Sequence, residues 1–446
     1  MKAGRVTLAT TPPRGMRDVL PDEVELRDAA VQQIVTVYRS YGFRRIETPA
    51  LEGLPLLIGS EGGDNEKLIF KVLKRGEDLE AALRGGEREL ADLGLRYDLT
   101  VPLARYYAEN HASLPDPLKA IQIGPVWRAE RPQKGRFRQF TQCDIDVLGV
   151  ASPVVEIELI LATSQALALL GLSDLTVRIN DRRLLALIAR HCGIAETAQG
   201  GFFIVFDKLD KIGADGVVRE LSEAGHDAAA VARFEQLLPT LQKGEAAFEA
   251  LRAALGADAG EAFDWLATII HTANGDLPAG TRVAFDPTLV RGMGYYTGTI
   301  FEISSPAFPS SIAGGGRYDR MVGKLLGRDV PACGFSIGFE RLILILSDRT
   351  RAVPSDRTRA VAPAAAATTA PRRVALVVDG HADLTGSLAA ARGLRNEGYM
   401  VSVELRRKNF GKQLEDFVRH GFWGFAAPDA AGAIAVKPLT GTRERG

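Results

Sequence analysis

Residues 121–147 read IQIGPVWRAERPQKGRFRQFTQCDIDV. The stretches Ile121 to Trp127 and Arg138 to Val147 look like two strands. Between them Arg131 to Gly135 is rich in Arg, Lys, Gln and Gly, which predicts a polar loop. Arg128 sits where the first strand leaves off, and its guanidinium fork suits a phosphate. Glu130, two residues on, is expected on the same strand face. Phe140 on the return strand offers a ring on which a purine can stack. Exposed Arg–Glu pairs are common on sheets, so the hairpin alone defines no site.

Upstream, Pro21 to Ser40 predicts a helix. Pro21 starts it, Asp22 and Glu23 lie in its first turn, and Leu26, Ala30, Ile34 and Val37 recur at helical spacing. Gly42 ends it, and Phe43 to Thr48 predicts a strand closed by Pro49. Further on, Arg96-Tyr97-Asp98-Leu99-Thr100 sets a carboxylate and a hydroxyl two residues apart. On a strand Asp98 and Thr100 share a face, a natural grip for an ammonium group.

Downstream, Val154 to Leu170 predicts a strongly apolar helix. Asp181 to Asp276 is helical and rich in Ala and Leu, an inserted domain between two segments that carry chemistry. Strand signals return at Arg282 to Phe285 and Thr299 to Ile303, and Gly314-Gly315-Gly316 predicts a turn. The stretch 289–299, LVRGMGYYTGT, gathers a cation and phenols in a glycine-rich setting. Gly334 to Arg341, GFSIGFER, predicts a strand-to-helix junction where glycines admit close approach. There Arg341 offers a second guanidinium, and Phe339 to Leu346 reads as helix. Ser347 to Pro371 reads as a linker with a near-tandem repeat from Asp348, unable to build a core. Beyond it a βαβα pattern predicts a small α/β domain: strands Val374–Val378 and Met400–Glu404, a helix capped by Asp383, helix Phe410–Arg419 and a last strand Ala433–Val436.

The composition is that of a globular protein: 446 residues, 46% hydrophobic and 25% charged. That length predicts two or three domains. No apolar run reaches the roughly 18 residues that span a bilayer, so no membrane is expected. The polar start Met1–Pro13 predicts no secretory leader. Three scattered cysteines, Cys143, Cys192 and Cys333, fit neither a disulfide framework nor a zinc site; reduced thiols in the cytoplasm are expected. Net charge is zero. From Arg372 onward, 12 Lys+Arg against 8 Asp+Glu give +4, leaving −4 elsewhere. A basic tail is compatible with phosphate binding and equally with ordinary surface variation.

The ordered set of motifs resembles class II aminoacyl-tRNA synthetases. The helix and strand ending at Pro49 look like their first motif, a dimer-interface element. Arg128 with Glu130 looks like the second, and Gly338 to Arg341 the third. Within that class LVRGMGYYTGT (289–299) and AGGGRYD (313–319) resemble the two signature peptides of the histidyl-tRNA synthetase family. RYDLT (96–100) and QCDID (142–146) match that family too. The resemblance implies an α+β fold: an antiparallel sheet flanked by helices, with a helical insertion and a small C-terminal α/β domain. Expected bounds are 1–180 and 281–346 for the catalytic core, 181–280 for the insertion, 347–371 for the linker and 372–446 for an anticodon-binding-like domain.

The resemblance also assigns roles. Asp98, Thr100 and Gln142 are expected to hold the α-amino group of L-histidine. Asp146 and Tyr296 are expected to read the two imidazole nitrogens, with Tyr295 lining the pocket. One nitrogen donates and the other accepts, so a carboxylate and a phenol fix the ring. For ATP, Arg128 is expected on the α-phosphate, Arg341 on the γ-phosphate, Phe140 on the adenine ring and Glu130 on its amino group. Arg291 is expected beside both the substrate carboxylate and the α-phosphate, with Mg²⁺ bridging phosphates. Implied catalytic residues are Arg128, Arg291 and Gln142; implied partners are tRNA(His) and a second copy of the chain. Gly294 stands where the family usually has aspartate, and the tail looks clipped after Thr442. The competing expectation is a non-catalytic relative that regulates ATP phosphoribosyltransferase in histidine biosynthesis.

Overall fold

A computed structural model describes residues 10–59, 64–85, 90–132, 136–291, 294–352, 372–380, 384–428 and 434–439. Several expectations lie outside them: loop residues Gln133 to Gly135, Gly292 and Met293 of the first signature peptide, most of the repeat-bearing linker, the cap Asp383, Ala433 and Thr442.

Eight strands form the central sheet: β1 (Arg44–Arg45), β2 (Leu118–Trp127), β3 (Gln139–Leu148), β4 (Thr176–Asp181), β5 (Arg282–Phe285), β6 (Thr299–Ser305), β7 (Phe308–Arg317) and β8 (Ala332–Gly338). Their order is β1-β2-β3-β8-β7-β6-β4-β5. Only the two outer pairs, β1/β2 and β4/β5, are parallel. The opening hairpin is β2 and β3, paired from Leu118↔Leu148 to Trp127↔Gln139.

Alternation along β3 divides its side chains between two faces. Cys143, Ile145 and Val147 are buried in the core. The helix Pro153–Leu169 packs against β3 and β8, flanked by the helices Pro21–Ser40 and Gly260–Asn274. Phe140, Gln142, Asp144 and Asp146 project from the other face of β3, into a cavity.

That core helix carries two fully buried carboxylates, each answered by cations. Glu156 accepts from Arg317 Nε at 2.8 Å and NH2 at 2.7 Å, and from Trp265 Nε1 at 3.2 Å. Glu158 accepts from Lys119 at 2.7 Å and from Arg395 of the tail domain at 3.2 Å. Arg395 also lies 3.7 Å from the Tyr41 ring centroid and donates to the Ser40 carbonyl, so tail and core share a buried ionic contact. Removing one partner of such a pair strands the other charge. Glu156→Gln is expected to lower the unfolding free energy by about 3 kcal/mol in urea denaturation; an unchanged midpoint would refute it.

The tail is a four-stranded sheet: β9 (Arg373–Val378), β10 (Met400–Leu405), β11 (Gly424–Pro428) and β12 (Ile434–Pro438), in the order β10-β9-β11-β12. Helices Leu384–Asn396 and Phe410–Arg419 connect it.

Several local expectations are corrected. Gly314-Gly315-Gly316 is no turn; it lies inside β7. The expected strand Phe43–Thr48 shrinks to β1, because only Arg44 and Arg45 pair with β2. The helix from Phe339 runs to Ala352, past the expected start of the linker. A three-stranded sheet, Leu51–Gly53, Ala91–Leu95 and Lys71–Leu73, has no counterpart among the expected elements, nor has β11. Finally, Arg96 to Thr100 is not a strand: the strand ends at Leu95, and Thr100 opens the helix Thr100–Asn110.

Candidate active site

One cavity of about 880 Å³ opens over β3, β7 and β8. Every site residue expected from the sequence lines it: Asp98, Thr100, Arg128, Glu130, Phe140, Gln142, Asp146, Arg291, Tyr295, Tyr296 and Arg341. They come from distant stretches of chain, and the sheet brings them together.

The inner end is acidic. Asp98 and Thr100 meet through a helix start rather than a strand face. Asp98 Oδ1 accepts from Val101 N at 3.1 Å, which caps the helix that Thr100 opens. Asp98 Oδ2 is buried and has no partner. Asp146 Oδ1 accepts from the Tyr318 hydroxyl at 2.6 Å, while Oδ2 is likewise buried and unpaired. Between them Asp144 accepts from Gln142 Nε2 at 3.2 Å and keeps an orphaned Oδ1. Gln142 Oε1 is orphaned too. Buried polar atoms are nearly always paired, so four lone acceptors in one cavity mark a place for a cationic, hydrogen-rich ligand.

Burial drives the titration here. It pushes the Asp98 carboxyl up to about 6. Asp146 is pushed up to about 7, first by burial, against the pull of the Tyr318 hydrogen bond. Asp144 is raised well above the usual range by burial and then by Asp146. Because the folded values of Asp98 and Asp146 exceed the ordinary 3.8, the unliganded fold binds more protons than the unfolded chain. Their contribution to stability is therefore full below about pH 4 and lost as pH rises through 6 to 7. A ligand that brings an ammonium to Asp98 and a ring N–H to Asp146 needs both carboxylates ionised. Saturating L-histidine is thus expected to raise the thermal midpoint more at pH 8 than at pH 6; equal shifts at both would refute this.

The glycines make room. Gly334 of β8 pairs with Asp146 of β3, and a Cβ there would run into the Asp146 carboxylate. A Cβ on Gly314 would strike the Arg291 guanidinium, and one on Gly315 the Gly334 carbonyl. At Gly294 a Cβ would meet nothing, so no lack of space keeps the family's usual aspartate out.

The outer end is basic. Arg128 Nε donates to the Tyr97 carbonyl at 2.9 Å, and its guanidinium stands 5.2 Å from the Phe140 ring centroid. Arg341 donates to the Ser311 carbonyl and is held below its ordinary pKa, first by burial and then by Arg136. Neither Arg128 nor Arg341 makes an ion pair among the described residues. Arg291 does: NH1 lies 2.5 Å from Glu302, which also accepts from Arg178 at 3.1 Å. Arg291 has a φ of 62°, unusual for a residue with a side chain, and such strain clusters at functional sites. β2 ends at Trp127, so Glu130 shares no strand face with Arg128; it lies 3.6 Å from Arg136.

Asp144, Tyr318, Glu302 and Arg178 also line the cavity, and none of them has a role expected from the sequence. Asp144 is detectable, since it lies midway between Gln142 and Asp146 at the same period of two. Tyr318 stands inside the second signature peptide. Glu302 and Arg178 belong to no motif; only sheet pairing sets them side by side, at Arg178↔Glu302.

A family model described as histidyl-tRNA synthetase matches residues 15–342. A histidine–tRNA ligase of Leifsonia xyli is 48% identical over 445 residues, covering 96% of this chain and 98% of its own. A probable histidine–tRNA ligase of Tropheryma whipplei is 39% identical, covering 96% and 99%. Among solved structures, a histidyl-tRNA synthetase from a Nostoc species superposes with a TM-score of 0.62 at 26% identity, over 97% of both chains. A Bacillus halodurans protein described as an ATP phosphoribosyltransferase regulatory subunit/histidyl-tRNA synthetase gives 0.64 at 21% identity, over 92% and 97%, a likeness of fold alone. Fold, cavity and relatives together define an aminoacyl-tRNA ligase built on a mostly antiparallel sheet. Within that class the chain belongs to the histidyl-tRNA synthetase family.

Proposed function

We propose that this cavity activates L-histidine with ATP, forming histidyl-adenylate and pyrophosphate, and then transfers histidine to the 3′ end of tRNA(His). The observation that carries the reading is the polarity of the β3 face. Unpaired carboxylate oxygens lie at one end of it, and the Arg128 guanidinium, without an ion pair among the described residues, lies by Phe140 at the other. The stretch of strand from Phe140 to Asp146 spans roughly 20 Å, enough to lay an adenylate along it.

Asp98, Thr100 and Gln142 hold the ammonium group. Asp146 and Tyr296 take the two imidazole nitrogens, and Tyr295 packs beside them. Phe140 stacks on adenine, Glu130 contacts its amino group, Arg128 binds the α-phosphate and Arg341 the γ-phosphate. The substrate carboxylate is already a nucleophile, so no base is required. What the reaction needs is two anions held together and stabilised as charge builds on phosphorus, the work of Arg128 and Arg291.

Among the described residues no cluster of three His, Cys, Asp or Glu could hold a metal ion. Mg²⁺ binds mainly through phosphates and water with one or two carboxylates, and Glu302 and Glu340, which line the cavity, would supply them. Mg²⁺ bound with ATP supplies charge neutralisation on the leaving pyrophosphate. The basic loop beyond Arg131 meets the acceptor end of tRNA, and the tail domain meets the anticodon.

A homodimer belongs to the same reading. Leu51, Leu73 and Leu93 of the three-stranded sheet are all exposed, a surface suited to a second copy. The three cysteines are unpaired, in keeping with a cytoplasmic enzyme, and no helix among the described residues is long and apolar enough to cross a membrane. Histidine-dependent ATP–pyrophosphate exchange, followed by charging of tRNA(His), tests the proposal. A regulatory subunit does neither, and a ligase for another amino acid prefers that one.

A further inference from the structure

Residues 10–20 form neither helix nor strand, yet they pack against the β2/β3 hairpin. Met16 N donates to the Pro13 carbonyl at 2.9 Å, closing a turn. Gly15 takes a φ of 84°, and its carbonyl accepts from Arg138 N at 2.7 Å. A Cβ on Gly15 would lie 2.8 Å from both Arg138 Cγ and Pro132 Cγ, so backbone rests directly on the hairpin. The carbonyl of the same Arg138 accepts from Arg128 N at 2.8 Å. Arg138 thus joins this segment on one side to Arg128 on the other.

Arg17 adds side-chain contacts. Its guanidinium stands 5.1 Å from the Phe137 ring centroid, donates to Glu23 Oε2 at 2.7 Å and lies 3.6 Å from Glu340. Glu340 is gripped by Arg27 through two bonds of 2.8 Å and accepts from Thr141 N at 3.1 Å, next to Phe140. All these contacts fall at the nucleotide end; none reaches the acidic end.

The geometry points to Pro13–Arg17 as a strap that positions Arg128 and Phe140 for the nucleotide, with Arg17 as its positioning residue. The inference rests on the function proposed above and deepens it. An exposed ion pair alone contributes little. Its effect here comes from geometry, since even a small displacement of a phosphate-binding group slows the reaction far more than the strength of one ion pair would suggest.

The test compares full-length wild-type, Arg17→Ala, Arg17→Lys and Glu23→Gln proteins in histidine-dependent ATP–pyrophosphate exchange. Arg17→Ala is expected to raise KM for ATP on the order of tenfold, with KM for histidine changed less than about twofold. Arg17→Lys recovers part of the loss, because an ammonium keeps the ring contact and the ion pair. Both constants rising together, or an unchanged ATP constant, overturns the strap. Should Arg17→Ala fail to fold, Glu23→Gln decides by the same readout. A wild-type protein without exchange activity removes the functional reading itself, whereas active wild-type protein with indifferent variants removes only the strap.

Discussion

Asp146→Asn is expected to cut kcat/KM for histidine by on the order of 10² to 10⁴ while leaving KM for ATP within about twofold. Asparagine has the shape of aspartate, so packing is preserved. Oδ1 keeps its bond from Tyr318, which arrives at 2.6 Å. The unpaired Oδ2, however, becomes an amide NH₂, a donor facing a donor. The protein then loses a charge-assisted hydrogen bond, about 1.5–3 kcal/mol, and leaves a buried polar group unsatisfied, about 1–3 kcal/mol more. At about 1.4 kcal/mol per tenfold those sums give the stated range. Polar readout of this kind discriminates strongly, because a ligand lacking the matching nitrogen strands the site's own groups. Steady-state exchange kinetics with each substrate varied in turn measure it. A variant that activates histidine as well as the parent would end the assignment of Asp146.

Arg291→Lys is expected to lower kcat for adenylate formation on the order of 10²–10³ with little change in KM for histidine. The argument is geometric. Arg291 lies over Gly314, which has no Cβ, and is braced by Glu302 at 2.5 Å. Its Nε is buried and unpartnered. A planar fork can face the substrate carboxylate and the α-phosphate together; an ammonium is a point charge that answers one of them. Lysine inherits the same positive φ, so backbone strain is equal in both proteins and cannot account for a difference. Single-turnover formation of the adenylate reads the chemical step, and the thermal midpoint checks the fold. An unchanged single-turnover rate would remove Arg291 from the transition state.

The helix Pro21–Ser40 is legible in the sequence to the residue, because proline, first-turn carboxylates and apolar spacing all agree there. The β2/β3 hairpin is legible to within a few residues, because a polar, glycine-bearing loop separates its two strands. Gly314-Gly315-Gly316 misleads, because three glycines locally favour a turn. In β7 they serve instead to let Arg291, the Gly334 carbonyl and Tyr296 approach the backbone. Asp98 and Thr100 do belong together, but a helix start unites them rather than strand alternation.

The sequence by itself determined the local elements, the order of the motifs and the chemical types at the site: carboxylates, guanidiniums, phenols and glycines at fixed positions. Such information is carried by neighbours a few residues apart, whose spacing sets period, cap and turn. Only the tertiary structure decided which of those groups meet. Tyr318 reaches Asp146 across 172 positions of chain, and Glu302 braces Arg291 beside Arg178 through strand pairing. Which carboxylate oxygens stay unpaired was likewise decided there. Whether a buried acceptor has a partner depends on everything folded around it, which no local pattern encodes.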